Sequence, residues 1–593
     1  MKNLIAFYQE RTNVHKDSLY IIKRKLLRSS TFRLLVFCLI CAGIYFFHSN
    51  TKLLVAIILG GIALFLFLVT RHSKLQYKKN KLLALLQINE TEINVLNRNF
   101  QSLPNGLEFK NPEHFYSQDI DLFGAGSFYQ YANRTVLPQG SQSFANLLLA
   151  NSISDIKRKQ EAIAELGQIC DWRQDFSATA SLTQSETETG TGVIIKWLHD
   201  YKAFVPSIMK IVPLVFSVAS LVLFVVYFLD YVPESLILLW LFIGLGLTSF
   251  FIKKIKKLGS AASQMQSTFQ QYNQLLQQIE NTDFVSELLQ AKKQEIISDD
   301  QKTSVVIKKF SDRLNSLDKN NNILYLFFAN GFLLRTITHV YHIEQWIVKH
   351  GSSVEKWFET IAFFDAYNSL GNFAFNHPEY SYPMLEDKKE TVLKSVGAGH
   401  PLLDSEKSIL NDFEIKNEQF FIITGANMAG KSTFLRTVSL QIVMANVGLP
   451  LCSKDSWYSP IKLITSMRTT DSLTDDESYF FSELKRLKFI VEEIQNDRYF
   501  IVLDEILKGT NSTDKAKGSR KFVERLVASK STGIIATHDL SLCEVSKELT
   551  QVKNHYFDAE IINNELHFDY KFKDGICQNM NASFLLKKMG IVE

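Results

Sequence analysis

The chain has 593 residues, a hydrophobic content of 46% and 45 phenylalanines, which exclude a single small module and an intrinsically disordered protein. Its 65 basic and 61 acidic residues leave a formal net charge of +4, so overall charge gives no strong case for a nucleic-acid-binding protein. Six cysteines without a Cys-x-x-Cys pair indicate a reducing compartment, with neither a disulfide framework nor a zinc site.

Four apolar runs occur in two pairs, and a short polar turn joins the members of each pair. A membrane span needs about 20 apolar residues, so three runs are long enough and the first needs help from its flanks. The second run follows the first at once, which argues against a cleaved signal peptide. We therefore predict two transmembrane helical hairpins, with buried core helices as the alternative. The four runs are residues 32–47, 53–70, 211–229 and 236–252.

Basic residues flank these runs on one side. By the positive-inside rule, they place both termini and all the long segments in the cytoplasm, which predicts an integral protein of the inner membrane. Membrane lipid is the expected partner of the four spans, and the basic clusters suit anionic headgroups. The flanking cations are Lys23, Arg24, Lys25, Arg28, Arg33, Arg71, Lys74, Lys78, Lys79, Lys81, Lys253, Lys254, Lys256 and Lys257.

The remaining segments divide into helical regions and one α/β domain. Long periodic stretches rich in helix-forming residues predict helices on both sides of the second hairpin, and a coiled-coil arm is one form they could take. Short β-rich runs then alternate with helical ones, which is typical of a mostly parallel sheet. The predicted regions are a cytoplasmic N-terminal helix (1–31), the first hairpin (32–70), a first helical region (71–205), the second hairpin (206–252), a second helical region (253–389) and the α/β domain (390–593).

A buried strand at residues 420–424 runs into a G-x-x-x-x-G-K-S loop and then a helix. In this P-loop pattern, backbone N–H groups wrap the phosphates of a nucleotide, Lys431 reaches the β and γ phosphates, and Ser432 can bind Mg²⁺. The strand before the loop and the helix after it make the pattern specific. The predicted nucleotide-binding residues are Gly425, Ala426, Asn427, Met428, Ala429, Gly430, Lys431, Ser432 and Thr433.

Two further strands end in residues with suitable chemistry. The run 499–503 is followed by Asp504, which suits Mg²⁺, and by Glu505, which suits activation of a water molecule. A third run ends at Thr537 and His538, where an imidazole can sense the γ-phosphate. Each residue alone could be a surface carboxylate or a core histidine, but three such ends in order favour a nucleotide site.

Four segments in this order resemble the ATPase domain of the MutS mismatch-repair family, itself similar to ABC-type ATPases. They read TGANMAGKST, DSLTDDESYFFSEL, IVLDEILKGTNSTD and ATHD. The resemblance implies ATP and Mg²⁺ as cofactors, catalytic roles for Lys431, Glu505 and His538, and a homodimer. Ser478 matches the signature serine that contacts the partner's γ-phosphate. The resemblance also places Asn427 and Met428 in an extended P-loop, Ile409 near the adenine, and Gly509, Thr510 and Asp514 in a loop that crosses the dimer interface.

The chain departs from the family pattern at two places. Ala426 and Ala429 replace the usual Pro and Gly of the P-loop, at variable positions that should preserve phosphate binding. Three acids replace the Ser-Gly-Arg that precedes the signature serine, and they add negative potential near a polyanion. We therefore expect slow or tightly gated hydrolysis. The acids are Asp475, Asp476 and Glu477.

Upstream segments resemble the helical core, or lever, of MutS proteins, at residues 120–149, 158–166 and 361–370. The family's mismatch-reading domain is expected to be missing, because only about thirty residues precede the first apolar run. Residues 7–10 (Phe-Tyr-Gln-Glu) echo its Phe and Glu at the wrong spacing and are more simply the start of an amphipathic helix. The second hairpin occupies the place of the family's DNA-gripping clamp.

The leading hypothesis is a membrane-anchored MutS-like ATPase that works as a homodimer and, by family resemblance, binds mismatched or structured DNA. The alternative is a membrane-tethered, ATP-driven switch that acts on a protein or lipid partner without binding DNA. An ABC-type exporter is a weaker possibility, because a transport path would be marked by Asp, Glu or Arg inside the spans. The four spans contain none of these residues, apart from Arg33 at the edge of the first.

Overall fold

A computed structural model describes residues 2–47, 49–184, 190–298, 301–318, 323–386, 390–404, 406–468, 479–562, 565–578 and 591. Up to residue 376 the described chain is helical apart from one small β-hairpin. The helices are α1 (Lys2–Phe46), α2 (Thr51–Leu96), α3 (Phe128–Ala132), α4 (Pro138–Leu149), α5 (Ile156–Gln168), α6 (Cys170–Gln184), α7 (Thr191–Asp200), α8 (Val212–Phe228), α9 (Glu234–Glu280), α10 (Glu287–Gln294), α11 (Thr303–Asp318), α12 (Ile323–Leu333), α13 (Arg335–His350) and α14 (Val354–Asn376). The hairpin is formed by β1 (Ile297–Ser298) and β2 (Gln301–Lys302).

Helices α1 and α2 pack antiparallel, and each is about twice as long as a membrane span requires. Their far ends dock on α14, where the Tyr8 hydroxyl donates to Asn376 Oδ1 (2.7 Å) and the ring of Phe7 lies 5.4 Å from that of Phe375. The rings of Phe7 and Tyr8 thus pack against the rest of the protein, in agreement with the amphipathic interpretation of residues 7–10.

Among the residues that the structure describes, two helices are long and apolar enough to cross a membrane: Asn3–Phe46 and Glu234–Ala261. Only 6% of the apolar 18-residue window in the first helix and 22% of that in the second is buried inside the protein, whereas a core helix would be mostly buried. Val212–Phe228 is a shorter apolar helix, and the predicted run 53–70 lies in α2, where several side chains fall outside the described set. Localisation in a membrane stays a prediction.

Helix α12 was not singled out by the sequence, because its 11 residues are too few to span a bilayer. It packs against α8 and α9, and the backbones come so close that a Cβ on Gly244 would lie 2.3 Å from the carbonyl oxygen of Gly331. Ser220 Oγ donates to the carbonyl of Phe332 (2.7 Å) and accepts from Trp240 Nε1 (2.8 Å). The second hairpin is therefore the core of a three-helix apolar unit.

Beyond this unit along the chain, the second half of α9 and α11 form an antiparallel pair. Ser304 near the start of α11 donates from its backbone N–H to Glu280 at the end of α9 (2.9 Å), and Phe310 contacts Phe269 edge-on with ring centroids 5.0 Å apart. The long helices predicted here thus fold back on one another. Helix α14 then crosses the helical region against α4, α5 and α6 and leads to the C-terminal domain.

The centre of α14 carries a fully buried carboxylate. Asp365 accepts hydrogen bonds from the backbone N–H groups of Leu137 (2.8 Å) and Val136 (3.0 Å), which fixes the start of α4 against α14. Burial raises the pKa of Asp365 to about 7, and the two backbone hydrogen bonds only partly oppose this shift. We therefore expect the contact between α4 and α14 to depend on pH near neutrality.

Asp365 is expected to make the folded protein less stable as the pH rises. A group whose pKa is raised on folding contributes stability that is fully present below its unfolded value, about 3.9, and is lost as the pH rises through about 7. We expect the difference in unfolding temperature, Asp365→Asn minus native protein, to increase from pH 5 to pH 8. Differential scanning fluorimetry in detergent checks this, and a pH-independent difference would contradict it.

The C-terminal domain has two larger sheets and one hairpin. Five strands of the central sheet are parallel in the order β11-β6-β10-β9-β8, and β14 adds antiparallel to β11. This arrangement agrees with the predicted mostly parallel sheet. Its strands are β6 (Phe420–Gly425), β8 (Lys462–Ser466), β9 (Tyr499–Asp504), β10 (Thr532–Ala536), β11 (Val552–Phe557) and β14 (Lys573–Asp574). Its helices are α15 (Lys431–Val447), α16 (Tyr479–Asn496), α17 (Ser512–Ala528) and α18 (Val545–Glu548).

A mixed four-stranded sheet in the order β3-β7-β4-β5 packs beside the central one. Its first strand begins at residue 384, before residue 390 where the sequence predicts the domain to start, because the short β3 pairs with β7 about seventy positions later rather than with a neighbour. The strands are β3 (Met384–Leu385), β4 (Thr391–Ala398), β5 (Asn411–Lys416) and β7 (Asp455–Tyr458), and the separate hairpin is β12 (Ala559–Ile562) with β13 (Glu565–Phe568).

Candidate nucleotide-binding site

The three strands that end in predicted site residues lie side by side. Ile423 of β6 pairs with Ala536 of β10, and Ala536 pairs with Asp504 of β9. Because all three strands are parallel, the residues that follow them meet at one edge of the sheet. The structure therefore brings together the P-loop, Asp504 with Glu505, and Thr537 with His538.

The P-loop between β6 and α15 uses backbone conformations that favour glycine. Gly425 has φ +152° and Gly430 has φ +109°. A Cβ on Gly425 would lie 2.6 Å from the carbonyl oxygen of Phe557, so no larger residue fits. Ala426 and Ala429 are buried and their methyl groups are accommodated, whereas Asn427 and Met428 are exposed at the tip of the loop.

Lys431 begins α15 and its side chain lies inside the loop. The side-chain Nζ donates to the carbonyl oxygens of Gly425 (2.7 Å) and Ala426 (2.9 Å). Only 7% of the residue is exposed, and burial lowers the pKa of Lys431, while Asp504 and Glu505 oppose that shift. A cation held in this way beside the N-terminus of a helix suits a phosphate chain.

The next residue joins the P-loop to β9. Ser432 Oγ donates to Asp504 Oδ2 (2.7 Å), so a hydroxyl and a carboxylate oxygen converge on one point. Hydroxyl and carboxylate oxygens, with water and phosphate oxygens, are the ligands that Mg²⁺ prefers. This donor set fits the magnesium ion that the sequence predicts. Thr433 follows, exposed, on the first turn of α15.

Glu505 follows directly on β9 in a left-handed backbone conformation, with φ +53°, and its N–H donates to the carbonyl of Ala536 (2.9 Å). Its carboxylate forms ion pairs with the Nζ atoms of Lys515 (3.5 Å) and Lys508 (4.0 Å). The sequence did not point to either lysine. His538 is half-buried nearby, and burial together with the positive charge of Lys431 lowers its pKa, against the opposing effect of Glu505 and Asp504.

A cavity of about 260 Å³ adjoins the end of the P-loop. Ile409, Gly430 and Thr433 line it, which is where the resemblance expects the adenine. Three aromatic residues that the sequence did not single out, Phe434, Phe557 and Tyr570, also line it. Together with Ile409 they give the cavity the apolar lining that suits a flat base.

Glu483 on α16 supports the residues after Glu505. Its buried carboxylate accepts from the backbone N–H groups of Leu507 (2.6 Å) and Lys508 (3.1 Å), and burial raises its pKa in spite of these two bonds. Leu507 also has a positive φ of 59°. Glu483 thus fixes the turn that carries Glu505, a role without a local sequence signal.

Some predicted residues cannot be placed at the site. Ser478 and the acids Asp475, Asp476 and Glu477 lie outside the described residues. Gly509 and Asp514 are exposed and Thr510 is partly exposed, next to the N-terminus of α17. The Asn511 side chain caps this helix by accepting from the N–H of Asp514 (2.9 Å). The loop that is expected to cross a dimer interface therefore lies at the surface.

The same domain matches known proteins. A family profile described as MutS domain V matches residues 421–587. DNA mismatch repair protein MSH4 of Arabidopsis thaliana is 32% identical over 221 residues, which are 35% of this chain and 27% of that protein. DNA mismatch repair protein MutS of Thermotoga maritima is 28% identical over 250 residues, 41% of this chain and 31% of that protein. The C-terminal domain of this chain is therefore a MutS-type domain V.

The match covers less than a third of the length of each of these relatives. The human MutS protein homolog 4, for example, is 28% identical over 265 residues, which are 42% of this chain and 28% of that protein. The family profile covers residues 421–587, which contain the candidate site apart from Ile409.

Proposed function

We propose that this chain binds and hydrolyses ATP with Mg²⁺ as a homodimer, and that two helical hairpins anchor it in the inner membrane with the ATPase domain and both termini in the cytoplasm. The observation that carries the ATPase proposal is the hydrogen bond from Ser432 to Asp504, beside Lys431 and Glu505 at one sheet edge. A single P-loop residue would not support the proposal to the same extent, because phosphoryl transfer requires the phosphate-binding, Mg²⁺-binding and water-activating residues together.

Each residue has a role in the proposed reaction. The P-loop N–H groups and Lys431 bind the phosphates, and Ser432 and Asp504 would hold Mg²⁺, which neutralises the charge that develops on the phosphates. Glu505 orients and activates the attacking water. His538 lies where it can sense the γ-phosphate, and Ile409 contacts the adenine. Ser478 completes the partner's site in trans.

Exposure of apolar surface supports the proposed membrane anchor. Large apolar side chains on α1 and α8 point to solvent, among them Leu34, Leu39, Phe46, Leu221 and Phe228, and a soluble protein rarely exposes contiguous surface of this kind. The basic residues at the cytoplasmic ends of the runs agree with this orientation. The hairpins then link movement of the ATPase domains to the bilayer.

Two kinds of partner are compatible with the proposed ATPase. The relatives are named for DNA mismatch repair, and mismatched or structured DNA is the ligand we propose by family. The alternative is a switch that acts on a protein or lipid partner without DNA. The exposed apolar unit of α8, α9 and α12 favours this alternative, because it extends from the helical region that we propose as the lever.

DNA binding by the detergent-solubilised protein separates the two hypotheses. Homoduplex, mismatched and branched DNA are titrated over a salt series, with the ATPase rate measured in parallel. Contacts to phosphates weaken steeply with salt because counterions are released. Preference for mismatched or branched DNA with a changed ATPase rate supports the DNA hypothesis. No binding at low salt, with hydrolysis that depends on Lys431, supports the switch and contradicts DNA binding.

Ser478→Ala is expected to impair hydrolysis in the partner's site rather than in its own. A mixed dimer of Ser478→Ala and Lys431→Ala chains retains at most one working site. Each composite site combines Lys431 of one chain with Ser478 of the other, so both substitutions fall in the same site and the second site keeps both native residues. Steady-state hydrolysis by differently tagged, co-purified dimers measures this. A monomer that hydrolyses ATP at the rate of the dimer contradicts the composite site.

A further inference from the structure

Helix α2 runs unbroken from Thr51 to Leu96. Its first half carries the apolar run of the first proposed hairpin, which ends near residue 70, and its second half packs on α1 and α6. At 1.5 Å per residue, the 26 residues that follow the run place the helix end about 39 Å from it. One rigid element therefore connects the proposed membrane segment with whatever contacts its C-terminal end.

The side chain of Arg98, just beyond that end, contacts the C-terminal domain. Arg98 has φ +65°, which turns the chain immediately after α2. Its Nη1 donates to the carbonyl oxygen of Pro401 (2.7 Å) and its Nη2 to that of Leu403 (2.7 Å), while the guanidinium lies 5.3 Å from the ring centre of Tyr131. Two charge-assisted hydrogen bonds from one planar group fix the position of this loop.

The loop that Arg98 binds borders the candidate nucleotide site. His400 and Leu403 line the 260 Å³ cavity together with Ile409 and Thr433. Arg98 itself lines a second cavity of about 210 Å³, which shares His400, Leu403 and Ser408 with the first. Arg98 therefore acts on the nucleotide cavity through the loop, without lining that cavity itself.

A buried network attaches the same end of α2 to α14. Asn376 at the end of α14 accepts from Tyr8 on α1 (2.7 Å) and donates to Glu92 on α2 (2.7 Å), and Glu92 also accepts from Arg134 (2.7 Å). Both helices of the first hairpin and the end of α14 are thus joined, and Arg98 extends this unit to the nucleotide loop.

We propose that Arg98 is a positioning residue that couples nucleotide binding to the first hairpin. A nucleotide that contacts the loop at residues 400–403 also restrains Arg98 and the end of α2, and displacement of α2 by the hairpin alters the nucleotide cavity. This coupling rests on the proposed function, since it requires that the cavity beside the P-loop binds ATP. By linkage, each end influences the other by the same factor.

The test uses the purified full-length chain, ATP with Mg²⁺, and the substitutions Arg98→Ala and Arg98→Lys. A lysine keeps the charge but lacks the planar guanidinium whose two Nη atoms reach the two carbonyls at once, so both variants are expected to weaken ATP binding, Arg98→Ala by about tenfold. Asn97→Ala is the matched control, because Asn97 is exposed on the last turn and bonds only to the carbonyl of Ile93 in its own helix. Its ATP affinity is expected to be native.

Hydrogen exchange provides a measurement that a purely structural role would not change. Saturating ATP is expected to slow amide exchange at residues 90–98 in the native chain and in Asn97→Ala, but not in Arg98→Ala at equal saturation. If Arg98→Ala unfolds, Arg98→Lys serves as the folded variant. Native affinity and native ATP-dependent protection in the Arg98 variants would overturn the coupling alone, whereas a native chain that binds no ATP would overturn the proposed function and the coupling with it.

Discussion

Lys431→Ala is expected to abolish nucleotide binding, with the dissociation constant for ATP rising at least about 100-fold. The ammonium group is almost fully buried and lies against the carbonyls of Gly425 and Ala426, where the phosphates of a bound nucleotide are expected. Alanine removes the positive charge that offsets the phosphates and leaves these two carbonyls without their donor. Equilibrium titration with a fluorescent ATP analogue measures the change.

Lys416→Ala is the matched control for this substitution. Lys416 is exposed at the end of β5 in the same domain, and its removal takes away the same charge without changing the P-loop. Native affinity is expected for this control. Tight, magnesium-dependent binding of ATP by Lys431→Ala would contradict the placement of the phosphates in the loop.

Glu505→Gln is expected to retain ATP binding and to lose turnover by about 100-fold or more. Glutamine has the same shape as glutamate but cannot accept the proton of the attacking water. The lost ion pairs with Lys508 and Lys515 are partly exposed, so the cost in stability is small. Single-turnover hydrolysis and ATP affinity, measured on the same preparation, separate the two effects.

The Glu505→Gln chain should also accumulate as a closed dimer in the presence of ATP, because hydrolysis is what reopens the composite site. Size-exclusion chromatography with light scattering detects this dimer, and Lys431→Ala serves as the negative control. Ordinary turnover by Glu505→Gln would exclude Glu505 as the residue that activates water, and would direct attention to His538.

The location of the candidate site follows from local sequence patterns. Each of three apolar runs is followed at once by the polar residues of interest, and parallel strands present their carboxyl ends at one edge. Gly425, Asp504 and Thr537 were therefore expected to meet, and the registers of β6, β10 and β9 bring them together. Ile409 came from family resemblance alone, since no local periodicity marks its loop.

The residues that the sequence did not reveal act through contacts between distant positions. Asn411 beside the nucleotide cavity bonds to Tyr570, 159 positions away, and Arg98 reaches Pro401 across 303 positions. Glu483 supports the turn after Glu505 from another helix. None of these side chains differs locally from an ordinary surface residue, so only the packed fold identifies them.

The helical region shows the same limit. The apolar runs of the two proposed hairpins can be recognised by length, because a span needs many consecutive apolar residues. Helix α12 is too short for that criterion, and its position depends on the close backbone approach of Gly331 to Gly244, a fit of shapes that periodicity does not encode. Composition thus indicates which segments are apolar, whereas packing determines how they assemble.

Fractionation of ATPase activity tests the proposed membrane anchoring of this MutS-type ATPase. Membranes from cells that express the native chain or Lys431→Ala are washed with alkaline carbonate, extracted with detergent, and assayed for magnesium-dependent ATP hydrolysis after affinity capture. We predict that activity stays in the washed membranes, appears only after detergent extraction, and is absent from Lys431→Ala. Native-chain activity that is released by the wash would contradict the membrane anchor. An equal rate from Lys431→Ala would contradict the assignment of the hydrolysis to the P-loop.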